Sequence, residues 1–172
     1  MSWHLGPPNE HARANGAYRV LITGSRTWDD MFSIADAIDE AIKHAGRTIV
    51  VVHGACPRGA DAITAGYCEA LQYHGKAVVL EPHPADWDHC TIDCPQTPHR
   101  LIKKPGDVDH PGARDDYCPG AGPRRNADMV RLGADLCLAF IHKASRGASG
   151  TAELAEQAGI RTVRFPPGGV IA

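Results

Sequence analysis

The sequence predicts an α/β domain with a doubly wound parallel sheet of about five strands and helices on both faces. Three observations predict this fold. The chain has 172 residues, enough for one hydrophobic core but too few for two independent enzyme domains. Short, nearly continuous apolar runs alternate with segments of helical periodicity, which is typical of strands buried on both faces. Glycine-rich segments follow several of these runs, as they do in Rossmann-like domains.

Each predicted element has its own signal. The strands are apolar runs rich in β-branched residues, and the helices repeat apolar residues at spacings of three and four. Asp29 or Asp30 can cap the first helix, and Gly46 ends its apolar pattern. The predicted strands are 18–23, 48–52, 77–80, 135–141 and 161–165, and the predicted helices are 32–45, 60–74, 125–132 and 151–158. This alternation predicts right-handed βαβ units and ligand binding at the carboxyl ends of the strands.

The composition limits the function classes. The 18 Lys and Arg residues are balanced by 20 Asp and Glu residues, so the chain lacks an overall basic field for non-specific nucleic-acid binding. Its longest apolar runs are far shorter than the ~20 residues that span a bilayer. The N-terminus lacks a basic and then apolar signal pattern. We therefore expect a cytoplasmic protein with no membrane partner, for which nucleic acid is a disfavoured partner.

Two segments fall outside the alternating pattern. Residues 1–16 are polar and without periodicity, and they are predicted to be a flexible N-terminal leader before a single domain at 17–172. Residues 83–120, called the insertion below, are rich in Pro, Asp, His and Cys and contain few aliphatic residues. Such a segment is not expected to build a core of its own, so something other than apolar burial should order it.

The insertion contains a candidate zinc site. Cys90, Cys94, His99 and Cys118 offer a Cys₃His set, and donors a few residues apart around turns suit the tetrahedral geometry of Zn²⁺. Because four protein ligands leave no open position, we expect a structural metal. The alternatives are reduced, unpaired cysteines and a disulfide between Cys90 and Cys94, both less expected in the cytosol. The histidines that could replace His99 are His83, His89 and His110.

Two glycine loops follow the first two predicted strands. Residues 23–28 read TGSRTW, in which Gly24 permits a sharp turn and Arg26 can bind an anion as a planar fork. Residues 53–61 read HGACPRGAD, and the amides that open the following helix present donors and a positive dipole end to an anion. Asp61 can cap that helix or hold a ribose hydroxyl. The loops match neither the P-loop nor the G-x-G-x-x-G pattern.

Two later segments add polar groups. Residues 145–153 read SRGASGTAE and are predicted to begin a helix whose hydroxyls and amides can meet a phosphate; capping by Ser149 with Glu153 nearby is the alternative. Residues 121–129 read AGPRRNADM, which places two arginines against the helix dipole unless an anion or carboxylate compensates. We expect Arg125 to face the pocket, and a solvated arginine pair is the alternative. The predicted ligand-binding residues are Gly24, Ser25, Arg26, Gly54, Arg58, Gly59, Ala60, Asp61, Arg124, Asn126, Ser149, Gly150 and Thr151.

Taken together, TGSRTW, HGACPRGAD, AGPRRNADM and SGT resemble the YspA-like branch of the SLOG superfamily, which also includes the LOG phosphoribohydrolases and the DNA-processing protein DprA. The resemblance covers most of residues 18–165. It implies a Rossmann-like domain that binds nucleotides or NAD-derived molecules. In the LOG enzymes, this domain cleaves the N-glycosidic bond of a nucleoside monophosphate. The resemblance also implies a homodimer.

The resemblance to LOG enzymes is partial at their two functional motifs, R-K-x-x-M and P-G-G-x-G-T-x-x-E. Residues 125–129 match the first motif with Asn in place of Lys. Gly150 and Thr151 match the second, but the glutamate is Glu153, one residue early. On a helix this turns the carboxylate by about 100°. If the chain is catalytic, the resemblance implies that Arg125 binds phosphate while Glu153 orients water or stabilises an oxocarbenium-like ribose.

Three functions follow from these observations. The first is binding of a nucleoside monophosphate, ADP-ribose or an NAD-related molecule, as a sensing or processing domain. The alternative is a LOG-like N-glycosidase that releases the base from a nucleoside monophosphate. The second alternative is DprA-like binding of single-stranded nucleic acid through a local patch of Arg100, Lys103 and Lys104, which the overall charge disfavours.

Overall fold

The computed structural model describes residues 16–95 and 97–166, which are arranged around a five-stranded parallel sheet. The predicted leader lies outside the described residues apart from Gly16, as do residues 167–172. The strands are β1 (Tyr18–Gly24), β2 (Ile49–His53), β3 (Val78–Pro82), β4 (Leu101–Ile102), β5 (Asp116–Tyr117), β6 (Leu136–Phe140) and β7 (Arg161–Phe165). The helices are α1 (Met31–Ala45), α2 (Ala60–Tyr73), α3 (Ala121–Arg131) and α4 (Arg146–Gln157).

The sheet has the strand order β3-β2-β1-β6-β7, and every neighbouring pair is parallel. The chain first builds outward from β1 to β3, then crosses to the other side of β1 and continues through β6 to β7. The order therefore reverses between β1 and β6, which is the point where Rossmann-like sheets open a crevice for ligands. The predicted doubly wound α/β fold is confirmed.

Helices cover both faces of the sheet because successive strand residues point to opposite sides. Val20 and Ile22 of β1 pack in one core cluster beneath α1 and α2. Leu21, between them, packs in a second cluster with Met129 of α3 and Ala155 of α4. Strand β1 is thus buried on both faces, as its nearly continuous apolar sequence predicts.

Helix α1 begins and ends where its sequence predicts. The Asp30 carboxylate accepts hydrogen bonds from the amides of Phe32 (3.1 Å) and Ser33 (3.2 Å), which satisfies two donors of the first turn. Gly46 follows the last turn with a φ of 58°, a left-handed conformation that glycine adopts at little cost. The predicted N-cap and end are confirmed.

The predicted starts of α3 and α4 are wrong. Helix α3 begins at Ala121 rather than at residue 125, with a proline in its first turn that needs no amide partner there. Helix α4 begins at Arg146 rather than at Thr151. The two glycines of its first turns have low helix propensity, but Ala148 and Ala152 are buried against the sheet, and this packing overrides propensity.

The insertion joins β3 to α3 and contains a two-residue antiparallel pair, β4 with β5. Contrary to the prediction that it has no core, it buries a small apolar cluster of Trp87, Cys94 and Cys118 against Ala121 of α3. Two of these four residues are cysteines of the predicted metal site, so the cluster and the site share side chains. Among the described residues, no helix is both long and apolar enough to cross a membrane.

Candidate functional site

A cavity of about 880 Å³ lies at the carboxyl edge of the sheet, between the strand ends and the insertion. The loops after β1, β2 and β6 line it on one side, together with the first turns of α3 and α4, and the insertion closes the other side. The volume lies within the range of roughly 300–1,000 Å³ that is typical of small-molecule sites. The cavity therefore occupies the predicted ligand position at the switch point of the sheet.

The structure brings most of the predicted site residues to this cavity. Those that line it are Gly24, Ser25, Arg26, Gly54, Asp61, Arg125, Asn126, Gly150, Thr151 and Glu153. Those that lie outside the lining are Arg58, Gly59, Ala60, Arg124 and Ser149. The contacts of the second group, described below, show that most of them hold the loops or the insertion in place.

Arg125 is a fixed cation in the cavity wall. Its Nη1 donates to the carbonyl of Gly54, at the end of β2, and to the carbonyl of His83 at 2.8 Å, just after β3. Its Nε donates to Oδ1 of Asn126 at 2.8 Å. Burial lowers the pKa of the guanidinium, while the charge of Asp61 acts in the opposite direction. A Cβ at Gly54 would collide with this guanidinium, so the glycine is needed for the close approach.

Two buried titratable groups lie beside Arg125. The Asp61 carboxylate, in the first turn of α2, accepts a hydrogen bond from the amide of Cys56 at 3.0 Å and so braces the loop after β2. Burial raises the pKa of Asp61 despite that hydrogen bond and the nearby arginine. His53 Nδ1 accepts from the amide of Ala55 at 3.2 Å, and burial lowers the pKa of the imidazole. Both shifts favour the uncharged forms in this part of the site.

Ser25 ties two of the cavity loops together. Its Oγ donates to the carbonyl of His142 at 3.1 Å and accepts from the amide of His142 at 2.7 Å. The Ser25 carbonyl accepts from the amide of Ala60 at 3.2 Å. Gly59 packs directly on Ser25 with a φ of 69°, where a side chain would clash. Gly59 and Ala60 therefore position the loops, although they do not line the cavity.

The first turn of α4 lies at the cavity. Arg146, Gly147 and Ala148 all line it, and no side chain caps them at the Ser145 position. The amide of Ser149 instead donates to the carbonyl of Ser145 at 2.9 Å. The free amides of this helix are thus three residues earlier than the predicted Ser149 to Thr151 segment.

The later residues of the segment 145–153 lie inside helix α4. The Thr151 hydroxyl donates to the carbonyl of Gly147 at 2.7 Å, so it is used within α4. Glu153 lies in the second turn rather than the first, is exposed, and lines the cavity. The predicted alternative of a Ser149 cap is also wrong, because Ser145 occupies the N-cap position.

Ion pairs of Asp109 join the insertion to the loops that follow β1 and β2. Asp109 lines the cavity, and its carboxylate accepts from Nε of Arg58 at 2.6 Å. Nη1 of Arg26 lies 3.5 Å from the same carboxylate. The Asp109 side chain is only 15% exposed, so both contacts lie in a partly shielded place. Sequence reasoning missed Asp109, because nothing local distinguishes it from the other acidic residues of the insertion.

The structure also brings together the four predicted metal ligands. The ligand atoms of Cys90, Cys94, His99 and Cys118 all lie within 4.8 Å of one another. Sγ of Cys90 is 3.5 Å from Nε2 of His99, and Sγ of Cys118 is 3.6 Å from both Sγ of Cys94 and Nε2 of His99. Metal bonds of about 2.3 Å to sulfur and about 2.0 Å to nitrogen give tetrahedral edges of about 3.5–3.8 Å. These four residues could hold a metal ion.

The other histidines considered for this site contact carboxylates instead. His83 lies 2.8 Å from Glu81, and His110 lies 2.8 Å from Asp107. His89 lies 2.9 Å from the carboxylate of Asp86. His99 is therefore the histidine of the cluster.

Two arginines donate hydrogen bonds to the cluster sulfurs. Arg124 Nη1 donates to Sγ of Cys94 at 3.1 Å, and its Nη2 donates to Sγ of Cys118 at 3.6 Å. Arg100 Nη1 donates to Sγ of Cys90 at 3.4 Å. Burial alone would raise the pKa of Cys118, but hydrogen bonds from the imidazole of the cluster and from Arg124 outweigh it and lower that pKa to about 6. The surroundings of Cys118 thus favour its thiolate, the form that binds metals, whereas, despite the hydrogen bond from Arg100, desolvation and the neighbouring thiols raise the pKa of Cys90.

These contacts correct two predictions. Arg124 was expected in the ligand pocket, but it points to the cluster because adjacent residues on a helix lie about 100° apart. Arg100 was expected in a basic patch, but its Nη2 donates to the carboxylate of Asp116 at 2.8 Å. That patch is therefore partly neutralised.

Comparison with known proteins gives two matches. Residues 18–89 match the sequence model of the YAcAr family, described as the YspA, cpYpsA-related SLOG family. The chain is also 34% identical over 147 residues to the gene 61 protein of Mycobacterium phage D29, across 86% of this chain and 95% of that protein. No solved structure matches significantly. The matched family segment includes the first two glycine loops and ends at residue 89, within the insertion.

Proposed function

Because the chain belongs to the YspA, cpYpsA-related SLOG family, we propose that it binds a nucleotide or nucleotide-derived molecule in the cavity. The observation that supports this most is the position of the cavity, at the switch point of the sheet and beside Arg26, Arg125 and the first turn of α4. A nucleoside monophosphate, ADP-ribose or an NAD-related molecule has the size and negative charge for such a site.

The phosphate of this ligand binds at the N-terminus of α4. The amides of residues 146–148 are uncapped and line the cavity, and the helix dipole favours an anion there. Lys143 and Arg146 line the same region and add positive charge. The proposed phosphate site thus lies one helical turn before residues 149–151, where the sequence predicts it, because α4 begins earlier than predicted.

The test is binding of a nucleotide panel to the purified protein, by thermal shift and calorimetry. A ligand that binds only the folded state raises the melting temperature. We expect Arg146→Gln to weaken binding and Arg131→Gln, whose side chain is 81% exposed outside the cavity, to leave it unchanged. The absence of a shift with nucleoside monophosphates, ADP-ribose and NAD, together with no co-purifying nucleotide by mass spectrometry, would contradict the proposal.

A second candidate function is hydrolysis of an N-glycosidic bond. It is supported by the position of Arg125 and Glu153, which line the same cavity. In this reaction, water adds to C1′ of the ribose, the bond from C1′ to the base nitrogen breaks, and the base leaves with a proton. Glu153 orients the water or stabilises the oxocarbenium-like ribose, and Arg125 binds the phosphate together with the first turn of α4.

Release of free base, measured by chromatography, tests the second candidate. We expect turnover to be lost in Glu153→Gln and kept in Glu156→Gln, because Glu156 lies on the same helix but pairs with Arg164 outside the cavity. Binding without base release would leave the chain as a binding or sensing domain.

We also propose that the four-residue cluster holds a structural Zn²⁺. The Cys₃His donor set fits a tetrahedral zinc, three of the six distances between ligand atoms are already 3.5–3.6 Å, and four protein ligands leave no position for substrate. Elemental analysis of the purified protein is expected to give one zinc per chain. Iron or no metal would contradict this assignment.

A homodimer remains a prediction by family resemblance. A shallow groove beside α3 and α4, lined by Val130, Leu154 and Ile160, supports it, since Leu154 is 39% exposed there. Light scattering after size exclusion tests it, and the mass of one chain would contradict it.

A further inference from the structure

The insertion contributes one wall of the cavity, and this wall differs chemically from the wall formed by the sheet loops. The sheet loops and first helical turns bring arginines, a lysine and uncapped amides. The insertion brings mostly rings, aromatic or pyrrolidine: Pro84, Trp87, His110, Pro111, Tyr117 and Pro119. A ligand with a charged end and a flat apolar end would fit this division.

Three of these rings pack against one another. His110 is stacked on Tyr117 with centroids 3.7 Å apart and planes within 8°. Trp87 meets His110 edge to face at 4.7 Å and Tyr117 at 6.0 Å. The two edge-to-face contacts of Trp87 are favourable for aromatic pairs, and the three rings form a defined surface, called the aromatic wall below.

Contacts with α3 and with other residues of the insertion hold the rings of the aromatic wall in place. Trp87 packs on Gly122 of α3, where a Cβ would come within 2.9 Å of the indole. The Trp87 carbonyl accepts from the amide of Cys118 at 2.9 Å, and Cys118 is a member of the metal cluster. Asp107 holds Nδ1 of His110 at 2.8 Å. The rings are therefore positioned before any ligand arrives, which lowers the entropic cost of binding.

We propose that the aromatic wall is the base-binding subsite of the cavity and takes the planar heteroaromatic base of the ligand. This inference rests on the proposed nucleotide-binding function and adds which part of the ligand lies where. Aromatic side chains stack on every nucleobase because each base has a π-face. With the phosphate at α4, the base extends under the insertion, so the insertion determines which compounds bind.

A purely structural role for the three rings makes a different prediction. Trp87 and Tyr117 also belong to the small apolar cluster of the insertion, so the effect of removing either ring would then be only to loosen that segment. In that case, ligands with and without a base would lose the same affinity. A base subsite predicts a selective loss for ligands that carry a base.

The experiment compares AMP, GMP, CMP and UMP with ribose 5-phosphate by calorimetry, using the full chain with its metal as purified. The wild-type protein is expected to bind at least one nucleotide ten times or more tightly than ribose 5-phosphate. In Tyr117→Leu, nucleotide affinity falls at least tenfold, whereas the affinity for ribose 5-phosphate stays within about twofold. Tyr117→Phe keeps the ring and restores nucleotide affinity.

Controls separate this inference from loss of folding and from failure of the proposed function. Tyr73→Leu changes the same residue type at an 88% exposed position outside the cavity and is expected to change nothing. Equal wild-type affinities for nucleotides and ribose 5-phosphate would overturn the base subsite, whether or not the variants fold. An equal loss of affinity for nucleotides and for ribose 5-phosphate in Tyr117→Leu would also overturn the base subsite. If neither nucleotides nor ribose 5-phosphate bind, the proposed function fails and this inference fails with it.

Discussion

Arg124 and Arg125 are adjacent near the start of α3, and their guanidinium groups contact two different sites, the Cys₃His cluster and the cavity wall. Arg124 donates to Sγ of Cys94 at 3.1 Å, whereas Arg125 donates to the carbonyl of His83 at 2.8 Å in the cavity wall. Successive residues of a helix are turned by about 100°, so adjacent side chains reach different flanks. The N-terminus of α3 therefore connects the Cys₃His cluster to the cavity through one helical turn.

The two arginines are predicted to have separable effects. In Arg124→Gln, zinc affinity should fall by about 10–100-fold because the thiolates lose a charged donor. In Arg125→Gln, zinc affinity should stay unchanged, and nucleotide affinity should fall about tenfold or more with the loss of the charge. Chelator competition measures the first effect and calorimetry the second. Unchanged zinc affinity in Arg124→Gln would show that this contact has no role in metal binding.

Removal of the metal is predicted to unfold the insertion while the sheet stays folded. The cluster of Trp87, Cys94 and Cys118 is too small to order residues 83–120 by burial alone. Chelation, or Cys118→Ser, should therefore open this segment to proteolysis while the circular dichroism of the helices and sheet changes little. Cys56→Ser, outside the cluster, is the control for zinc content. Equal protease resistance with and without metal would refute this role.

The features that sequence predicts well are those with a local signal. The run at 18–23 is apolar without alternation, which only a strand buried on both faces requires. The candidate metal site is predictable because Cys and His donors a few residues apart around turns suit a metal ion, and the structure brings Cys90, Cys94, His99 and Cys118 together. The cap at Asp30 depends on hydrogen bonds to the next three residues alone.

The features that sequence misses depend on distant contacts. The start of α4 depends on the burial of Ala148 and Ala152 against the sheet, which outweighs the low propensity of its glycines. The direction of Arg124 depends on where α3 begins, because a start at residue 125 would leave this side chain outside the helix. The pairing of Asp109 with Arg58 joins residues 51 positions apart. No local pattern encodes such a contact.

Gly54→Ala is predicted to damage both stability and binding. The added Cβ would overlap the Arg125 guanidinium, which must then leave the carbonyls that hold it. We expect the free energy of unfolding to fall by about 1–3 kcal/mol, with weaker nucleotide binding. The matched control is Gly66→Ala, in helix α2 with open space around it, which should be neutral or stabilising by up to about 1 kcal/mol. Urea unfolding compares the two, and equal effects would contradict the collision.

Asp109→Asn is predicted to strengthen the binding of phosphate-bearing ligands. The native carboxylate lies in the cavity lining and partly neutralises Arg26, 3.5 Å away. Its removal should raise affinity by roughly two- to fivefold, as expected for a partly exposed ion pair. Asp115→Asn changes the net charge equally but lies outside the cavity and should have no such effect. Weaker binding in Asp109→Asn would mean that the carboxylate positions Arg26 rather than competing with the ligand.

The ion pair of Arg19 with Glu81 is predicted to make stability depend on pH at the acidic end. The two side chains form two parallel hydrogen bonds of 2.8 Å from β1 to β3. Chiefly through these bonds, the pKa of Glu81 is lowered from 4.5 to about 2. A lowered pKa in the folded state means that the ionised form contributes stability above about pH 4.5. That contribution is lost as the pH falls from about 4.5 towards 2.

Urea unfolding of the wild type and Glu81→Gln at several pH values measures this contribution. Because the Glu81 side chain is 34% exposed, solvent screening reduces the effect to about 1–2 kcal/mol at pH 7. The difference in the free energy of unfolding between the two proteins should therefore be largest at pH 7 and shrink steadily below pH 4.5. Glu69→Gln, on the exposed face of α2, should follow the wild-type curve throughout. Parallel curves for wild type and Glu81→Gln would show that the stability contributed by this pair does not come from the ionised carboxylate.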